Sequence, residues 1–199
     1  MVRSPGAEDA GHLACQHKTV GGRRECGAEL DMEGVHEYIC NIGGGPNTRH
    51  ARLRNWLADR IKETYGGDVS QERQLPGRPG DVMDIVAQTP EGVLWVDTTV
   101  VSVATVNVAE RLRRANQPER ALYAMVREKN IRYGNQCLPF AMEDGGRVSS
   151  GASELLRKMA VRYEGWDCAR KYRELLGAHV MLMATASMLQ GARGTMRTA

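Results

Sequence analysis

Three aspartates, Asp81, Asp84 and Asp97, fall inside or beside the two apolar runs of GRPGDVMDIVAQTPEGVLWVDTTVVS, residues 77–102. Carboxylates are poor strand residues and costly to bury unless they are paired or bind a metal. The runs read as a hairpin, with strands over 81–88 and 93–103 joined by Thr89-Pro90-Glu91-Gly92. Asp81 then opens one strand and Asp97 sits in the middle of the next, so that the two can approach on one face of the sheet. Adjacent carboxylates repel, and a hard cation such as Mg²⁺ relieves the repulsion while keeping water molecules able to attack phosphorus. Asp84 reads as a solvent-facing or supporting residue, and Glu72, in VSQERQL, as an acid able to reach the same ion.

A cation also belongs to this group. Leu122, Met125, Val126, Lys129 and Tyr133 recur at i, i+3, i+4, i+7 and i+11, which puts Lys129 on the apolar stripe of a helix that starts at Pro118. A lysine there needs an anionic partner, and the metal-binding carboxylates or a substrate phosphate would provide one. The plain alternative is a lysine that snorkels from the edge of the stripe. On the same helix Arg132 falls nearer the carboxylates than Glu128 does.

A second constellation lies upstream. CGAELDMEGVHEYIC holds Cys26, His36 and Cys40, and HLACQHK adds Cys15 and His17. The segment 12–47 has too few apolar residues to build a core, and zinc held by thiolates and imidazole supplies folding energy directly. Arg23 stands where the commonest zinc pattern would place the first cysteine. Cys15 is the expected fourth ligand, with His17 and then His12 as alternatives.

These residues need a scaffold. Residues 1–11 read as disordered, 12–47 as a Cys/His zinc knuckle, 48–190 as the main domain and 191–199 as a disordered tail. A helix capped by Asn47 or Thr48 carries Leu53, Trp56, Leu57 and Ile61 and ends at Gly66-Gly67. An extended piece over 68–75 precedes the hairpin, an Arg-rich helix over 107–116 follows it, and after the Lys129 helix come a strand over 138–142 and helices over 151–163 and 167–190. The order predicts an α/β fold, a small mixed β-sheet flanked by helices.

Bulk properties narrow the choice of partner. The net charge of +3 is mild, but Arg and Lys crowd 49–62, 111–132 and 157–173, as on a polyanion-binding surface or on solvated helix faces. Five cysteines in no dense framework, with no secretory signal, argue for a reducing, intracellular setting. The apolar run VMLMATASML, 180–189, is too short to span a bilayer and reads as a buried helix.

The order C…CGAELDMEGVHEYIC…RHARLRNWL…RPGDV…VDTTVVS…REKNIRY…LPFAMED resembles the restriction-like endonuclease region of site-specific non-LTR retrotransposons, within the PD-(D/E)xK nuclease superfamily. The likeness spans roughly residues 12–163. It implies a restriction-endonuclease-like fold, a zinc knuckle and a Mg²⁺ core that nicks DNA. By position, Asp81 matches the first acid, Asp97 the second and Lys129 the catalytic lysine on its helix, with Tyr133 ending that motif. Arg49 and His50 match an Arg-His pair expected to touch DNA, and Arg52, Arg54, Arg132 and the arginines over 111–114 would add phosphate contacts. Gly80 separates Pro79 from Asp81, and Thr99 stands where most of the superfamily carries lysine.

The reading is therefore a metal-dependent endonuclease, a fragment or remnant of an element's polyprotein, since nothing in the chain resembles a reverse transcriptase. Its partner is DNA, with the element's RNA as a second candidate, and its expected location is the nucleus. Two other readings compete: a catalytically dead zinc-knuckle module that binds nucleic acid, and a protein-interaction domain using the Met-rich segment of Met181, Met183 and Met188.

Overall fold

Leu53, Leu57 and Ile61 recur about one helical turn apart, and all three are buried on the inner side of helix α1 (Gly45–Tyr65). The computed structural model describes residues 14–15, 17–19, 22–29, 36, 40–42, 45–102, 107–117, 119–143 and 146–162. Residues 1–11, Pro118, the helix expected over 167–190 and the tail over 191–199 lie outside the described residues. Helix α1 begins at Gly45, three residues before the expected Thr48. Pro46 accounts for the earlier start, because proline in a first turn forfeits no hydrogen bond and is preset for helical φ. The helix ends at Gly66, whose φ of 67° lets its N–H reach the Lys62 carbonyl at 2.8 Å.

Strands β1 (Val69–Gln74), β2 (Val82–Thr89), β3 (Gly92–Val101) and β4 (Leu138–Glu143) form a four-stranded sheet in the order β1-β2-β3-β4. The first two pairings are antiparallel and β3–β4 is parallel. A parallel step needs a crossover, and helices α2 (Val108–Asn116) and α3 (Arg120–Tyr133) provide it. Asn107 caps α2 by accepting from the Glu110 N–H at 3.0 Å. Helix α4 (Ser150–Arg162) closes the described fold. β3 is central, and its residues Val96, Asp97 and Thr98 are all buried.

One core joins α1 and α4 to Ile85, Ala87, Val96, Phe140 and Met142 of the sheet. A smaller cluster of Leu75, Met83, Tyr133 and Cys137, with Val86 and Trp95 packed against it, forms under α3. The architecture is the expected small mixed sheet flanked by helices, with element ends displaced by only a few residues. No helix among the described residues is long and apolar enough to cross a membrane.

Phe140, the single phenylalanine, is wholly buried between α1, α4 and the sheet. Phe140→Ala is expected to cost about 3–5 kcal/mol, read as a fall in the urea midpoint without a change in slope.

Candidate functional site

The β2–β3 ladder starts at the turn with Thr89 opposite Gly92 and runs to Ile85 opposite Val96. The next step would set Asp84 against Asp97, and there the ladder stops. The pleat alternation also fails at this point. Ile85 belongs to the core under α1, whereas Met83, two residues away, packs with Tyr133 on the α3 side. On the neighbouring strand Glu72, opposite Asp84 in the β1–β2 register, adopts a left-handed φ of 54° and drops out of that pairing. The strands separate, and Asp84 turns into the gap.

There its Oδ2 accepts from the Thr98 N–H at 2.7 Å, from the Thr98 hydroxyl at 2.7 Å and from His50 Nε2 at 3.0 Å. His50 lies in the first turns of α1, and its Nε2 also sits 3.1 Å from the Thr98 carbonyl. A carboxylate and a carbonyl can only accept, so Nε2 carries the proton. Burial pushes the Asp84 carboxyl up, but the bonds from His50 and Thr98 outweigh it and hold the group below its ordinary value. The same bond to Asp84 raises the His50 imidazole, against the opposing effect of its burial.

Asp97 behaves in the opposite sense. Burial raises its carboxyl; the Lys129 ammonium pulls it down and the Asp84 carboxylate pushes it up again. Lys129 Nζ lies 2.7 Å from Asp97 Oδ2, with the Asp97 side chain only 8% exposed. That contact is an ion pair, and Oδ2 has no other hydrogen-bond partner among the described residues. Neighbouring carboxyls driven apart in pKa, with a lysine aimed at one of them, have the electrostatics of a reactive centre. They open into a cleft of about 530 Å³, lined also by Arg49, Thr99, Arg132 and Tyr133. Burial, followed by the nearby Asp97 charge, pushes the Tyr133 phenol to about 12, so it stays a neutral donor.

The expected site residues thus separate into two groups. Asp97, Lys129, His50, Arg49, Arg132 and Tyr133 converge on the cleft. Asp81 is not among the residues that line the cleft. It precedes β2, three positions short of the residue that the register sets opposite Asp97, and it binds Arg132 at 2.7 Å. Glu72 is likewise engaged elsewhere, by Arg54, and is largely exposed. Arg52 is exposed on α1. Sequence reasoning gave Asp84 only a solvent-facing or supporting place and did not name Thr98, although counting outward from Thr89 and Gly92 leads to Asp84 opposite Asp97.

Upstream, a hairpin and a helical turn assemble the Cys/His centre. Bridges Ala14–Glu29 and Lys18–Glu25 hold two short segments antiparallel, and Cys15 exchanges backbone bonds of 2.8 and 2.9 Å with Ala28 and Gly27. Cys15 and Cys26 are thereby carried on facing segments. The Cys40 N–H donates to the His36 carbonyl at 2.8 Å, so the four-position step between this pair is one helical turn. The ligand atoms of Cys15, Cys26, His36 and Cys40 all lie within 4.8 Å of one another. Three thiols and an imidazole at that spacing fit a tetrahedral ion, and the cluster can hold a metal such as zinc. His17 is outside this group, and exposed Arg23 lies near the hairpin turn.

No family model matches the chain, and no curated protein matches it in sequence.

Burial pushes the Cys40 thiol to about 12, so a bound ion must hold it as thiolate and metal binding must release protons. Cys26→Ala or Cys40→Ala should therefore lose the bound zinc, one ion per chain by elemental analysis, and should abolish the melting increment that zinc gives the wild type. The His50–Asp84 pair has its own pH signature. The raised His50 value contributes stability that is complete below the unfolded imidazole value, about 6.5, and is lost as pH rises through the folded one. The lowered Asp84 value contributes stability present above the unfolded carboxylate value, about 3.9, and lost as pH falls through the folded one. The melting-temperature gap between wild type and His50→Ala should accordingly be wider at pH 5.5 than at pH 9.

Proposed function

We propose that the cleft binds a divalent cation between Asp84 and Asp97 and hydrolyses a phosphodiester bond of nucleic acid, DNA in the first instance, on a restriction-endonuclease-like core. One observation carries the reading. Asp97 Oδ2 is buried, is met by the Lys129 ammonium and by no other hydrogen-bond donor among the described residues, sits beside a second carboxylate, and faces a basic cleft. Two neighbouring carboxylates facing one ammonium leave negative charge that a divalent cation offsets.

The donor set suits the cation: hard carboxylate oxygens, few enough to leave most positions to water, match Mg²⁺. When bound, the ion would polarise a phosphoryl oxygen and lower the pKa of a coordinated water. The chain's own residues have separate tasks. Asp84 and Asp97 supply the negative charge that holds the ion. Lys129 stands beside Asp97, where it orients the attacking water and stabilises charge that develops on the phosphoryl oxygens. Water oxygen bonds to phosphorus and gives up one proton to solvent as the bond to the leaving sugar oxygen breaks, and that oxygen takes up a proton from solvent. Tyr133 offers a neutral hydroxyl at the wall, and Arg49 and Arg132 line the same cleft, where cationic groups suit a phosphate backbone without reading sequence. The Cys/His centre precedes α1 in the chain, and the early turns of α1 carry Arg49 into the cleft.

Supercoiled plasmid with Mg²⁺ or Mn²⁺ tests the reading. Wild type should convert it to open circles, and Asp97→Asn and Lys129→Ala should each slow nicking by about a hundredfold or more. Wild type as inert as Asp97→Asn, while still binding DNA in a salt-dependent way, would leave a binding module and end the hydrolytic claim.

A further inference from the structure

The three hydrogen bonds that described residues donate to the Asp84 side chain all fall on one oxygen, Oδ2. From this asymmetry we infer that His50 and Thr98 are positioning residues, which lock Asp84 so that its other oxygen, Oδ1, is the one presented to a divalent cation in the cleft. The inference rests on the cation-binding reading above and adds to it a device on α1.

The need for such a device follows from the local backbone. Asp84 lies where the β2–β3 ladder has ended and the pleat alternation has failed, so the strand itself does not fix the side-chain direction. A carboxylate there would swing between rotamers and towards Lys129. Thr98 opposes this with two donors on one residue, its N–H and its hydroxyl. His50 adds a third from a different element, 34 residues away in sequence, across the gap between α1 and the sheet. The His50 proton is shared by three acceptors, Asp84 Oδ2 at 3.0 Å and the carbonyl and hydroxyl oxygens of Thr98 at 3.1 Å. A proton donor committed in this way has no Nε2 left for a phosphate. This separates a positioning role for His50 from the direct DNA contact that the Arg-His pair implies. Asp84, Asp97 and the Lys129 ammonium then stand as the groups around the ion, with His50 behind Asp84.

Mn²⁺ titrated into the zinc-loaded full-length chain without nucleic acid, with the free ion read by its electron paramagnetic resonance signal, gives the test. His50→Leu should weaken Mn²⁺ binding about ten- to a hundredfold, and Thr98→Val, which removes only the hydroxyl donor, should weaken it by less. His50→Gln, whose amide keeps a donor on the same side, should remain near wild type. Melting curves without Mn²⁺ identify any variant that fails to fold; if His50→Leu does, Thr98→Val against His50→Gln decides. His50→Leu, or failing that Thr98→Val, binding Mn²⁺ as tightly as wild type, with Asp97→Asn clearly weakened, would overturn the positioning role alone. Wild type and Asp97→Asn binding Mn²⁺ equally, or not at all, would overturn the cation site and this inference with it.

Discussion

The repulsion between two carboxylates at the open end of the β2–β3 ladder sets the terms for everything around it. Unit charges about 4 Å apart interact by roughly 4 kcal/mol at the effective dielectric of a partly buried site, a large share of the stability of a small domain. The fold answers with groups from three elements. Thr98 of β3 donates twice to Asp84, His50 of α1 donates once, and Lys129 of α3 faces Asp97. None of these groups can act unless α1 and α3 pack on opposite sides of the same sheet end. The apolar rows that bury them, Leu53, Leu57 and Ile61 on one helix and Leu122 and Tyr133 on the other, are therefore part of the electrostatics.

Periodicity made most of this scaffold legible. Strands, helices and the mixed sheet follow from apolar spacing and from glycine and proline punctuation, and the inward Lys129 follows from its place on the α3 stripe. The identity of the first carboxylate did not come out the same way. Asp81 is favoured by its place at the head of the strand next to that of Asp97 and by its match to the first acid of the resemblance, whereas the register, counted from the turn, sets Asp84 opposite Asp97. Two features then hid Asp84 further. It falls on the side of β2 opposite Ile85 by simple alternation, and only the break opposite Glu72 lets it reach α1. The nearness of Arg132 to the carboxylates follows from its helix face, but its pairing with Asp81, 51 residues away in sequence, comes only from the fold.

The Cys/His centre shows the converse case, in which residue type was a sound guide and one spacing was not. His36 and Cys40 one helical turn apart could be read directly. Cys15 could be chosen only by elimination, since a ligand on the far strand of a hairpin has no fixed sequence separation from its partner. Arg23, at the position of the commonest first cysteine, is instead an exposed residue near the hairpin turn. A segment with few apolar residues is thus closed by ligand geometry where the main domain is closed by a core.

Charge counting ties the two halves of the proposed site together. Asp84 and Asp97 bring two negative charges, Lys129 returns one, and His50 returns a second only where it is protonated. A divalent ion added to this set leaves the cleft net positive, with Arg49 and Arg132 lining the same walls. A phosphodiester is then the natural complement, because it replaces lost hydration with fixed opposite charge. The ion and the polyanion are in that sense one requirement. Two carboxylates repel a phosphate on their own, and on the proposed reading only a cation that neutralises them would let a basic rim around an acidic floor hold a nucleic-acid backbone.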